Sequence, residues 1–275
     1  MSSSGPRTSV PPSDRSWRDR RLDRDHSLGL RLTLASAAAF LVLVPFALLA
    51  VLVVGAWSPL HDLDATVTDA LHRFAADHPA WVRAMEAWTH VFSPGPLRVA
   101  ALVVVVWSWW RQARRLALWV VTTMAVGGAL GALLKLLVGR NRPELLDPVA
   151  RATGFSFPSG HALNATLAAG VLLLVFLPFT RGRPAARVLL WTVAVLLVGV
   201  TGLSRVALGV HWVSDVLGGW LLGVAVVAAT AAAFRTWRDR AGLPTGRATV
   251  DGVAPELADP AGPRALPDDP AGPRA

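Results

Sequence analysis

Residues 116–134 read LALWVVTTMAVGGALGALL, without a charge, and the next residue is Lys135. About 20 apolar residues in a helix are what the hydrocarbon core of a bilayer requires. Four more charge-free apolar runs occupy 32–60, 162–180, 188–204 and 216–234. A sixth, shorter segment from about 96 to 110 carries Arg98 near one end, where a long side chain reaches polar surroundings. The expected fold is therefore all-α and polytopic, with six transmembrane helices inside residues 29–240.

Outside these runs the charge is strongly basic. The net charge is +9, and of the 27 basic residues Lys135 is the one lysine. The arginines flank the apolar runs rather than forming one basic face, which argues against nucleic-acid binding. They cluster in the N-terminal segment, at Arg111, Arg114 and Arg115, at Arg181, Arg183 and Arg187, and at Arg235, Arg238 and Arg240. With six spans these four segments fall on one side, so both termini are expected to be cytoplasmic. The segment after the first span holds Asp62, Asp64, Asp69, Asp77 and Glu86 against Arg73 and Arg83, as an outer segment should. Within it, Val67, Leu71 and Phe74, then Trp81, Met85 and Trp88, recur at helical spacing and predict two amphipathic helices over 61–93. Residues 1–28 and 241–275 lack core-forming periodicity and are expected to be disordered cytoplasmic segments. The chain has no cysteine, so it can form neither disulfides nor thiolate metal sites.

Three polar clusters fall at the same ends of the spans. The third span runs out through Lys135 to Arg142-Pro143, the fourth opens at Pro158-Ser159-Gly160-His161, and Ser204-Arg205 leads to His211 and Asp215. Each has a plain structural reading. Lys135 and Arg142 could be helix-end anchors. Pro158 and Ser159 suit a helix start. His211 and Asp215, four apart, could be a satisfied pair on one helix face. Arg140 and Arg151 read as ordinary loop charges. Taken together, however, the clusters bring cations, a helix N-terminus with free amides, a histidine oriented by a carboxylate and a second histidine to one surface. Those are the parts a phosphoryl group requires. Metal ligation would need more His or carboxylate ligands than this surface offers.

These residues resemble the signature of the type 2 phosphatidate phosphatase superfamily, which also includes vanadium haloperoxidases and bacterial acid phosphatases. The signature is Lys-x6-Arg-Pro, Pro-Ser-Gly-His and Ser-Arg-x5-His-x3-Asp, and every position is filled between residues 135 and 215. The resemblance implies that His211 attacks phosphorus and becomes a phosphohistidine, with Asp215 orienting it. His161 would protonate the leaving group and then activate water. Lys135, Arg142, Ser159, Gly160 and Arg205 would hold the phosphoryl oxygens, and no metal or other cofactor is called for. The implied partner is a lipid phosphate in the bilayer: undecaprenyl diphosphate, phosphatidic acid or phosphatidylglycerol phosphate, at an outward-facing site. Transfer to an alcohol from the same histidine, or a non-enzymatic anion transporter, are the alternatives.

Overall fold

The computed structural model describes residues 42–145, 150, 152–243 and 252–258, and among these there are helices and turns but no strand. Helix α1 (Val42–Val54) bends by 89° into α2 (Ser58–Asp77). There follow α3 (Pro79–Val91), α4 (Pro94–Trp110), α5 (Arg114–Val138), α6 (Gly160–Phe176), α7 (Pro184–Ala207) and α8 (Val213–Arg240). Helices α2, α3, α4 and α7 each open with proline in the first two positions, where its missing N–H costs nothing. Among the described residues five helical stretches are long and apolar enough to cross a membrane, or six if the bent pair α1–α2 forms one span. Their outer faces expose large apolar side chains such as Leu136, Leu189 and Val195. A surface of that kind is stable in lipid and not in water. The chain is a multi-pass membrane protein.

The first span differs from expectation. Its apolar helix stops at Val54, and residues 58–60 already belong to α2; residues 32–41 lie outside the described part. The two amphipathic helices expected over 61–93 are α2 and α3. Val67 and Leu71 of α2 pack against Ala162, Val206 and Val216. Trp88 of α3 donates from Nε1 to Thr201 Oγ1 on α7 at 3.0 Å.

Helix α6 is buried around most of its circumference and packs against α4, α5, α7 and α8. A helix that is apolar all round belongs at the centre of a bundle. Its neighbours approach through glycines four apart, Gly127 and Gly131 on α5 and Gly219 and Gly223 on α8. A β-carbon on Gly131 would lie 2.5 Å from Leu163 Cδ2, and one on Gly219 would lie 2.7 Å from the Ser159 carbonyl oxygen. Small residues of this kind let helices in a membrane pack closely. Arg98 of α4, expected to reach polar surroundings, instead donates from Nε to Asn164 Oδ1 on α6 at 3.3 Å.

At the opposite end of the bundle part of the C-terminal segment folds back. Val253 N donates to Leu174 O at 3.2 Å, and Arg238 holds Glu256 through paired bonds of 2.7 and 2.6 Å. Val253, Ala254 and Leu257 are buried beside Trp119, Val175 and Phe234. A solvated tail from 241 onward is therefore not what residues 252–258 form. Their three apolar side chains were masked by the Pro, Ala and Gly around them. Residues 1–28, 244–251 and 259–275 lie outside the described residues.

The glycine contacts give a stability test. Gly219→Ala sets a methyl against backbone that cannot yield, and is expected to cost about 1–3 kcal/mol. Gly128→Ala, where nothing lies within 4 Å, should leave the melting temperature in detergent unchanged.

Candidate active site

The last turn of α5 carries Lys135, and Gly139 in the left-handed region (φ 62°) ends that helix. Lys135 Nζ donates to Phe155 O at 2.6 Å and to Ser156 O at 3.3 Å. Beyond the turn, Arg142 is held by backbone carbonyls: Nε donates to Gly154 O at 2.8 Å, Nη1 to Val210 O at 2.6 Å and Nη2 to Thr153 O at 3.1 Å.

Ser159 is the N-cap residue of α6, yet its hydroxyl makes no capping bond. Its backbone N–H donates to Asp215 O at 2.9 Å, and its Oγ is buried without a hydrogen-bond partner. The capping role that the sequence allowed is thus not the one this hydroxyl plays. Arg205, in the last turn of α7, is 7% exposed. Its Nη1 donates to Thr89 Oγ1 of α3 at 2.8 Å, while its Nε is buried and unpartnered.

The short turn between α7 and α8 explains the fixed distance from Arg205 to His211. Gly209 adopts φ 66°, and the amides of Val210 and His211 both return to Arg205 O, at 3.1 and 3.2 Å. Helix α8 starts only at Val213, so His211 and Asp215 do not share a helix face as their spacing suggested. Instead Asp215 is the third residue of α8 and reaches back over its N-terminus. Its Oδ2 accepts from Trp212 N at 2.9 Å and lies 3.2 Å from His211 Nδ1. Arg142 Nη1 lies 3.1 Å from His211 Nε2. A carboxylate only accepts and a guanidinium only donates, so the proton belongs on Nδ1 and the lone pair on Nε2. His161, the second residue of α6, lines a cleft of about 770 Å³ with Arg205, Leu208 and the α3 residues Arg83, Thr89 and His90.

Residues 116–239 match the family model described as the PAP2 superfamily. Over this part the chain is similar to the PAP2 superfamily. Over 99 residues the chain is 40% identical to phosphatidylglycerophosphatase B of Bacillus subtilis, covering 34% of this chain and 46% of that protein. It is 30% identical over 132 residues to undecaprenyl-diphosphatase of Sulfolobus acidocaldarius, covering 46% and 56%. It is 39% identical over 104 residues to decaprenylphosphoryl-5-phosphoribose phosphatase of Mycobacterium tuberculosis, covering 37% and 51%. The chain thus spans about half the length of these curated relatives. The crystal structure of a transmembrane PAP2-type phosphatidylglycerolphosphate phosphatase from Bacillus subtilis superposes with a TM-score of 0.64 at 23% identity, covering 74% of this chain and 96% of that one. That likeness is one of fold.

All eight residues expected at the site come to one end of the bundle, carried by α5, α6, α7, α8 and two connections. Sequence reasoning missed two more. Arg140, read as a loop charge, donates from Nη1 to Asp215 Oδ1 and from Nη2 to Asp64 Oδ2, both at 2.8 Å. Asp64, read as one of several outer acids, is fully buried on α2. Arg151 lies outside the described residues. Among the described residues no three His, Asp or Glu side chains are grouped as a metal site requires.

Burial pushes the His211 imidazole down to about 4; its bond to Asp215 and that carboxylate's charge pull the other way, and Arg142 and Arg205 push down again. The ring is therefore neutral at physiological pH. In ¹⁵N-histidine NMR of the detergent-solubilised protein, His211 should titrate near pH 4, with His211→Gln giving the assignment. A midpoint near the ordinary value of about 6.5 would contradict the burial found here.

Proposed function

We propose that this protein is an integral-membrane lipid phosphatase acting through a phosphohistidine on His211. The observation that carries this reading is a pair of buried, unpartnered donors, Ser159 Oγ and Arg205 Nε, both among the residues expected to hold phosphoryl oxygens. A buried hydroxyl or guanidinium N–H without a partner is costly, and a phosphoryl group would satisfy both. The Lys135 side chain supports the same placement, since its Cε lies 3.8 Å from where a Gly160 β-carbon would stand, beside the first amides of α6.

The reaction runs in two halves. The Nε2 lone pair of His211 attacks phosphorus, the bond to the leaving oxygen breaks, and His161 gives that oxygen a proton. Asp215 stabilises the positive charge that develops on the His211 ring. His161, now neutral, takes a proton from water, which attacks the phosphohistidine; the P–N bond breaks and inorganic phosphate leaves. Lys135, Arg142 and Arg205 hold the phosphoryl oxygens throughout, with Arg142 exchanging part of its carbonyl contacts for them. Neutralisation by three cations asks for no metal in either half.

The site sits at the ends of α5 and α7 and the starts of α6 and α8, opposite the arginine clusters that mark the cytoplasmic side. The chemistry is thus assigned to the outer face, with the lipid chain remaining in the bilayer. An outward site suits recycling of a carrier lipid, so undecaprenyl diphosphate stands ahead of phosphatidic acid and phosphatidylglycerol phosphate. The names of the relatives include both polyprenyl-linked and phosphatidylglycerol-linked phosphatases.

Purified protein should release phosphate from at least one of these three lipids in EDTA. His211→Ala should be inactive, and His161→Ala should lose about 10²–10⁴-fold. Full activity in either variant would refute the mechanism. Lys135→Arg keeps the charge but places a planar fork where a compact ammonium fits between the Phe155 and Ser156 carbonyls and the α6 amides. Activity there should fall by about 10–100-fold, measured as kcat/KM for the lipid the wild type prefers.

A further inference from the structure

We infer that Asp64 and Arg140 are positioning residues for the reaction: together they fix the rotation and share the charge of the Asp215 carboxylate, and through it they set His211. This rests on the phosphatase reading above.

The geometry is a closed network. Arg140 Nη1 donates to Asp215 Oδ1 at 2.8 Å and to Ser214 Oγ at 2.6 Å, while Nη2 donates to Asp64 Oδ2 at 2.8 Å. The Asp64 carboxylate in turn accepts from Ser214 N at 2.9 Å and from the Ser214 hydroxyl. An acid on α2 thus caps the N-terminus of α8 from another helix, satisfying an amide that would otherwise be orphaned. The Trp212 ring lies 5.4 Å from the Arg140 guanidinium carbon, and Arg140 O accepts from Ser156 N at 2.8 Å. The arginine is held on all sides.

Two consequences reach His211. With Oδ1 taken by Arg140, the carboxylate cannot rotate, and Oδ2 stays aimed at His211 Nδ1 and Trp212 N. The second consequence is electrostatic. The charged groups that act on His211 are Asp215 from α8, Arg142 from the connection after α5 and Arg205 from α7; His161 of α6 interacts with it too, and Lys135 of α5 acts on His161. Asp215 alone among these favours the imidazolium, and Arg140 offsets its charge. Asp64 keeps Arg140 in place and balances it. A cap alone would not need charge; a buried carboxylate pair around one guanidinium is an expensive way to hold a helix.

The test uses full-length protein in detergent, reading kcat, KM, the acid limb of kcat/KM and the melting temperature. Arg140→Gln should lower kcat about 100-fold with KM within about threefold, and move the acid limb up by about one pH unit. Arg140→Lys keeps the charge without the fork, so it should return the limb to its wild-type position while kcat stays about tenfold low. Asp64→Asn should lower kcat about tenfold at unchanged KM. Wild-type kcat and limb in Arg140→Gln would overturn the inference. So would losses in all three variants that track the melting temperature with no shift of the limb. If Arg140→Gln does not fold, Arg140→Lys decides: reduced kcat at constant KM supports positioning, and wild-type kcat refutes it. If the wild type releases no phosphate from any lipid, the phosphatase reading fails instead. The His211 NMR titration then still decides the positioning, since it should rise in the Arg140 variant lacking charge and would stay put if Arg140 had no influence.

Discussion

The Asp215 carboxylate has no solvent exposure, and a buried charge of that kind costs several kcal/mol unless donors surround it. Here they do. His211 Nδ1 and Trp212 N meet Oδ2, Arg140 and the Ser156 hydroxyl meet Oδ1, and the backbone oxygen takes Ser159 N. One residue at the start of α8 therefore sets the imidazole, the first amides of α6 and the loop that leaves α5. Among the signature residues, which stand 80 positions apart in the chain at their extremes, His211 and Ser159 are tied directly to this residue.

That arrangement depends in turn on how closely α8 lies to α6. Gly219 faces the Ser159 carbonyl and Gly223 faces Thr166, so the two helices meet almost backbone to backbone at the site and one turn below it. In a bilayer the hydrophobic effect gives no drive for helices to associate, and close van der Waals contact has to supply it. The same glycines that hold the bundle together thereby bring the amide of Ser159 within hydrogen-bond distance of Asp215. Packing and site geometry are here a single constraint.

The sequence disclosed the site well where the information was local or carried by a fixed spacing. Lys135, Arg142, Ser159, His161, Arg205, His211 and Asp215 stand at set intervals, and the turns at Gly139 and Gly209 convert those intervals into proximity. Where pairing spans long separations the sequence was silent. Asp64 meets Arg140 and Ser214 across 76 and 150 positions, and nothing near it distinguishes it from Asp62 or Asp69. Arg140 is two residues from Arg142 and has the same chemistry as any loop arginine. His211 and Asp215 do pair, but by a reach back across a helix start rather than on one helix face as their spacing suggests. For residues 252–258, composition hid three apolar side chains among breakers.

The balance of charge bears on what the site is built to receive. Lys135, Arg140, Arg142 and Arg205 bring four positive charges, and Asp64 and Asp215 two negative ones, while burial keeps His211 neutral at physiological pH. Two positive charges remain unmatched among these side chains. In a low-dielectric setting such an excess is unfavourable. A dianionic phosphoryl group, the ligand proposed for this site, would supply the missing charge. The two carboxylates act by subtraction: they cancel two of the four cations and leave a net charge that matches the phosphate dianion proposed as ligand, while Asp215 holds His211.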